Sequence, residues 1–212
     1  MLNTFWTYLQ YGKHFCGVEH STCNQLESLN ATVLLQSKKE LNISASFKEN
    51  TIEELSKKLP KHQHVVLIVN NDNVLSKTIE NKQTDVLKLV YSAFPNINLE
   101  EFYFEVLSQK NTHYINVSRK DYIDTLVETY ADHQLSILNV SLGNHSLNNL
   151  VRFIQEKTIY SSNAKISLEN DGIIQIENGP VISESYDVNG SRVTNHQLLS
   201  FSGALQTILK NN

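Results

Sequence analysis

The seven residues His64 to Asn70 (HVVLIVN) constrain the fold more than any other stretch of this chain. A run with no polar alternation suits a strand covered on both faces, in the middle of a sheet with a layer above and below it. The residues before it read differently. Lys13 to Glu19 (KHFCGVE) has the short apolar character of a buried strand, followed by a polar turn at His20 to Asn24. Leu29 to Gln36 and Glu40 to Phe47, joined at Ser37-Lys38-Lys39, alternate β-branched or apolar residues with polar ones, which predicts a meander. Asn50 with Glu53 resembles a capping box, and Ile52, Leu55 and Leu59 at helical spacing before Pro60 predict a short helix over 51–59.

After the apolar run, Asn71-Asp72-Asn73 turns the chain into a second extended stretch, Val74 to Glu80. Asp85 to Phe94 places Val86, Leu87, Val90, Tyr91 and Phe94 on one helical stripe that ends at Pro95. Phe102, Phe104 and Val106 alternate with polar neighbours, and a turn at Gln109-Lys110-Asn111 leads to Tyr114–Val117, a hairpin. Ser118 is the expected N-cap of a helix from Arg119 to His133, with Ile123, Leu126 and Tyr130 inward. Leu135 to Val140 reads as extended and Leu147 to Phe153 as helical. A hairpin about Asn170-Asp171-Gly172 and a final amphipathic helix, Leu198 to Leu209, complete the order. The expected parts are 1–84, an inserted small α/β unit at 85–133, and a reduced second unit at 134–212.

Composition narrows the function classes. With 18 basic against 22 acidic side chains, a net charge of −4 and only three arginines, the chain lacks the clustered basic face that displaces counterions from phosphates. A nucleic-acid partner is not expected. The longest apolar run, Val65 to Val69, falls far short of the roughly 20 residues that span a bilayer. The start Met1-Leu2-Asn3-Thr4-Phe5-Trp6 has no basic n-region, so the expectation is cytoplasmic. Cys16 and Cys23 read as free thiols.

Several side-chain sets carry groups that could do chemistry. Cys16, His20 and Cys23 form a Cys-x3-His-x2-Cys set without the second ligand pair of structural zinc, and His62 with His64 is a lone pair at a strand entrance. No metal is expected at either. Glu19 with Asp72 or Asp171 offers paired carboxylates for magnesium-dependent phosphoryl transfer, but no glycine-rich or basic surface accompanies them. No glycine-flanked nucleophile supports acyl transfer.

Three antiparallel strands, a helix and then a parallel strand make the ribonuclease H-like pattern, also the subdomain pattern of actin-like proteins. The succession HVVLIVNNDNVLSKTIE, then NLEEFYFEVLSQKNTHYINVSRKDYIDTLVETYADHQLSILNV, resembles the actin-like cytoplasmic domain of the L component of type II secretion systems and of pilus assembly protein M. The tail Leu198 to Leu209 resembles the closing helix of that fold. The resemblance implies an α/β, ribonuclease H-like (actin-like ATPase) fold with a mixed sheet flanked by helices. Strand 64–70 should then lie parallel to strand 13–19 in a five-stranded sheet. Nucleotide-binding members continue the first strand into Asp, an aliphatic residue, Gly and Ser or Thr. Here Glu19-His20-Ser21 stands at the phosphate-loop position without a following glycine, Glu169-Asn170-Asp171-Gly172 reads as a hairpin turn, and no Gly-Gly pair occurs. The implied nucleotide site is degenerate and no cofactor is expected. The resemblance implies a non-enzymatic scaffold that docks a cytoplasmic secretion ATPase and other inner-membrane platform components. It would work at the inner face of the inner membrane through a segment absent from this chain, with a homodimer as one arrangement. The alternative is an actin-like nucleotide-binding protein or a magnesium-dependent phosphoryl-transfer enzyme.

Overall fold

The computed structural model describes residues 14–23, 26–37, 40–169 and 172–210. Residues 1–13, the side chain of Cys23, and residues 24–25, 38–39, 170–171 and 211–212 lie outside the described residues. Strands β1 (His14–Cys23), β2 (Leu26–Ser37) and β3 (Glu40–Glu49) form an antiparallel meander. Helix α1 (Ile52–Ser56) leads to β4 (Gln63–Asn70), which pairs parallel to β1 with Val18 opposite Leu67. Strand β8 (Leu135–Leu142) adds parallel to β4, giving a five-stranded mixed sheet in the order β3-β2-β1-β4-β8.

The apolar run lies second from one edge and is covered on both faces. Val65, Leu67 and Val69 face one side, against α1 and α3 (Lys120–Asp132), whose Ile123, Leu126 and Tyr130 are buried there with Cys16 and Val18. Val66 and Ile68 face the other side, with Phe15 and Leu34. That face is covered by α4 (Leu198–Lys210), through Leu199, Phe201 and Ala204. The far side of α4 packs on a second unit. It holds a three-stranded sheet of β9 (Thr158–Tyr160), β10 (Ala164–Glu169) and β11 (Gly172–Asn178), and a hairpin of β12 (Ser185–Val188) and β13 (Ser191–Thr194).

A third cluster stands apart. Strands β5 (Leu75–Glu80), β7 (Thr112–Arg119) and β6 (Phe102–Gln109) form a small sheet in that order, on which Leu89, Val90 and Ala93 of α2 (Val86–Ala93) pack against Ile115 and Val117.

Several local expectations are corrected. The turn expected at His20–Asn24 is strand as far as Cys23, because His20 and Ser21 pair on both sides, with Leu29 and Ser28 of β2 and with Val69 and Asn70 of β4. The cap of α1 sits one residue later: Thr51 Oγ1 accepts from the Glu54 amide at 3.1 Å, and Glu54 accepts from the Asn50 amide at 3.2 Å. Ser118 is buried in β7 opposite Tyr103, and Arg119 starts α3 without a side-chain cap. The stripe on α2 is rotated. Val86, Leu87 and Tyr91 are exposed, since an apolar helix can turn either side to a sheet and the contact with β7 selects Leu89, Val90 and Ala93. Residues expected as one helix over 147–153 form two 3-10 turns, His145–Asn149 and Val151–Phe153. Helix α3 was expected against the hairpin but covers the main sheet, and β5, ahead of the expected division at 84, joins the small sheet.

Candidate functional site

Ligand sites of sheets with parallel strands lie at the carboxyl ends of those strands. Here the carboxyl ends of β1 and β4 meet the turn between β9 and β10, and Glu19 stands at the junction. Its side chain is fully buried. Three donors reach it from three parts of the chain: Asn70 Nδ2 at 3.0 Å from the end of β4, Asn30 Nδ2 at 3.4 Å from β2, and the Ser162 hydroxyl from the β9–β10 turn. Burial pushes the Glu19 carboxyl above its ordinary range, and the hydrogen bonds from Ser162, Asn70 and Asn30 oppose that shift in part.

The network continues through amides, which donate and accept without net charge. Asn163 Nδ2 donates to Asn70 Oδ1 at 2.9 Å, and Asn144 Nδ2 donates to Asn163 Oδ1 at 3.1 Å. Asn195 Nδ2 donates to the Ser161 carbonyl at 3.2 Å, which fixes the turn from the side of α4. The main sheet and the second unit are thus joined by polar bonds around one carboxylate. Three protein donors hold that carboxyl, two on Oε1 and one on Oε2.

The neighbouring positions are equally occupied. His20, on the opposite face from Glu19, lies with Nδ1 3.4 Å from the Tyr130 hydroxyl and Nε2 3.6 Å from the Glu27 carboxylate. Burial lowers its pKa, and Glu27 counters this. The Ser21 hydroxyl donates to the Ser28 carbonyl at 3.0 Å. Gly17, the one glycine in this strand, serves close packing instead of a loop: a Cβ there would fall 2.0 Å from the Ser200 carbonyl oxygen and 2.5 Å from the Ala204 nitrogen of α4.

The remaining candidates are dispersed. Cys16 is buried among apolar residues, and its thiol is pushed up to about 12 by burial. Asp72 is exposed in the turn after β4, and Asp171 lies outside the described residues. His62 precedes β4 with a left-handed φ of 59° and so lies outside the strand that holds His64. Among the described residues, no group of three or more His, Cys, Asp or Glu side chains is placed to hold a metal ion. Sequence reasoning missed Asn30, Asn70, Asn144, Ser162 and Asn163. The one local signal was Asn70 itself, an amide ending an otherwise apolar strand.

No family model matches the chain, and no curated protein matches it. Solved structures do. A chain of the PilM-PilN type IV pilus biogenesis complex is 11% identical, with a TM-score of 0.56 over 77% of this chain and 60% of that one. The cytoplasmic domain of EpsL, an inner membrane component of the type II secretion system of Vibrio cholerae, is 13% identical, with a TM-score of 0.48 over 74% of this chain and 68% of that one. A Bacteroides thetaiotaomicron protein with an actin-like ATPase fold is 7% identical, with a TM-score of 0.44 over 80% and 71%. This chain spans about 60% of the PilM-PilN chain it matches. The fold is therefore α/β and actin-like, a mixed sheet flanked by helices, as the succession of elements predicted.

Proposed function

We propose that this protein is a non-enzymatic docking scaffold of a secretion or pilus inner-membrane platform, seated at the cytoplasmic face and contacting a secretion-type ATPase. The observation that carries the reading is the closure around Glu19. Where a nucleotide-binding relative would need glycine and free backbone amides, the chain has a continuous strand whose amides serve the sheet. The carboxylate is held by Asn30, Asn70 and Ser162. Likeness in fold to a protein solved as the PilM-PilN complex supports a protein partner. The three-part organisation, a main unit, an inserted small sheet and a reduced second unit, belongs to the same proposal. Among the described residues no helix is long and apolar enough to cross a membrane, so attachment in this reading uses another segment or a partner.

The test is calorimetry with millimolar Mg-ATP beside thermal denaturation. Ligand at 100 times its Kd would add about 2.7 kcal/mol of stability. The scaffold reading expects no saturable heat and no rise in Tm, together with measurable association with a purified secretion-ATPase domain. A saturable ATP heat with a raised Tm overturns it.

A further inference from the structure

Asparagine followed by glycine occurs twice in the chain, at Asn178-Gly179 and Asn189-Gly190, and both asparagines are exposed. Such a pair can modify itself. Glycine has no Cβ to keep its nitrogen away from the preceding side chain, so that nitrogen can reach the asparagine Cγ when the peptide between them turns. The fold decides which pair is free to turn.

Asn189-Gly190 is held from both sides. It is the turn between β12 and β13, where Val188 pairs with Ser191 and Asp187 with Arg192. The Gly190 amide donates to Asp187 Oδ1 at 2.9 Å. Turning the peptide would unpair the hairpin and draw Tyr186, Val188 and Val193 out of the core.

Asn178-Gly179 is held from one side only. Asn178 ends β11 opposite Ala164, and residues 179–184 belong to no helix or strand. The Gly179 amide donates to the Asn163 carbonyl at 3.0 Å, and a Cβ on Gly179 would meet nothing within 4 Å. Pro180 follows without an N–H to anchor the chain. Strand ends open at much lower free energy than paired interiors, and here opening moves a stretch that is exposed except at Val181.

We propose that Asn178 is a site of spontaneous deamidation in the folded protein, while the hairpin protects Asn189. The Gly179 nitrogen gives its proton to water or hydroxide and bonds to Asn178 Cγ, and the side-chain nitrogen leaves as ammonia. Water then opens the five-membered imide at either carbonyl, leaving isoaspartate or aspartate with a new carboxylate. In isoaspartate the main chain runs through Cγ and is longer by a carbon, which carries Gly179 off the Asn163 carbonyl. Asn163 also donates to Asn70 in the Glu19 network, so the modified residue lies next to that junction. The proposal stands independently of the scaffold reading.

The experiment ages the full chain at mildly alkaline pH, folded and in concentrated urea, and follows both asparagines by peptide mass mapping and isoaspartyl methyltransferase labelling. Urea gives the intrinsic ratio of the two rates. Folding is expected to raise the ratio of Asn178 to Asn189 conversion at least about tenfold, the factor of a difference of about 1.4 kcal/mol in local opening. Asn178→Gln should remove the preferred product and leave conversion at Asn189 unchanged. A ratio that folding leaves unchanged or lowers overturns the proposal. So does a folded chain that stays unmodified at Asn178 while the chain in urea is converted.

Discussion

The Glu19 side chain is fully buried. Its carboxyl is raised by burial, so the folded state favours the protonated form relative to the unfolded chain. The sign follows: the stability tied to this group is fully present below the unfolded value of 4.5 and is lost as pH rises through the raised folded value. Glu19→Gln removes the titration and keeps an oxygen for Asn70 and Ser162, while rotation of the Asn30 amide presents its Oδ1 to the new Nε2. Urea midpoints from pH 4 to 7 should therefore decline less in Glu19→Gln than in the parent. Equal slopes would mean that Glu19 ionises in the fold as easily as in water. At this scale the sequence marked the right position but not its neighbours. Glu19 was singled out at the end of the first strand, yet Ser162 lies 143 residues away, and no local pattern announces that pairing.

At the scale of elements, helix α4 lies close on the main sheet at Gly17. Because a Cβ on Gly17 meets backbone atoms of α4 and not the tip of a flexible side chain, the helix must shift to accept it. Gly17→Ala should cost about 3 kcal/mol or more by chemical denaturation, at or above the upper end of ordinary overpacking. A loss below about 1 kcal/mol would show that α4 moves freely on β1. Phe104 tests the small sheet. Its ring is half-buried against the cluster of Leu89, Val90 and Ile115. Phe104→Ala should then cost about 2 kcal/mol, below the roughly 3–5 of a fully buried ring. A neutral result would put the ring in solvent and shift β6 by one residue. The long elements were legible because their patterns are local. The hairpin β12–β13 was passed over although Asn189-Gly190, left-handed at both residues with φ of 51° and 86°, is the two-residue turn signal for it.

At the scale of the whole molecule, the amino-acid sequence alone determined the order of elements and the centre of the main sheet. Meander, helix and continuous apolar strand are written in periodicities that each residue shares with near neighbours, and β1 and β4 pair in parallel as that order requires. Tertiary structure decided what the order leaves open. It chose which side of the apolar helix α2 meets its sheet, it laid α3 over the main sheet, and it brought Asn30, Asn70 and Ser162 to one carboxylate. The reason is physical. Backbone periodicity fixes which side chains share a face, whereas pairing of a buried charge or filling of a cleft depends on residues that meet only after distant elements have packed.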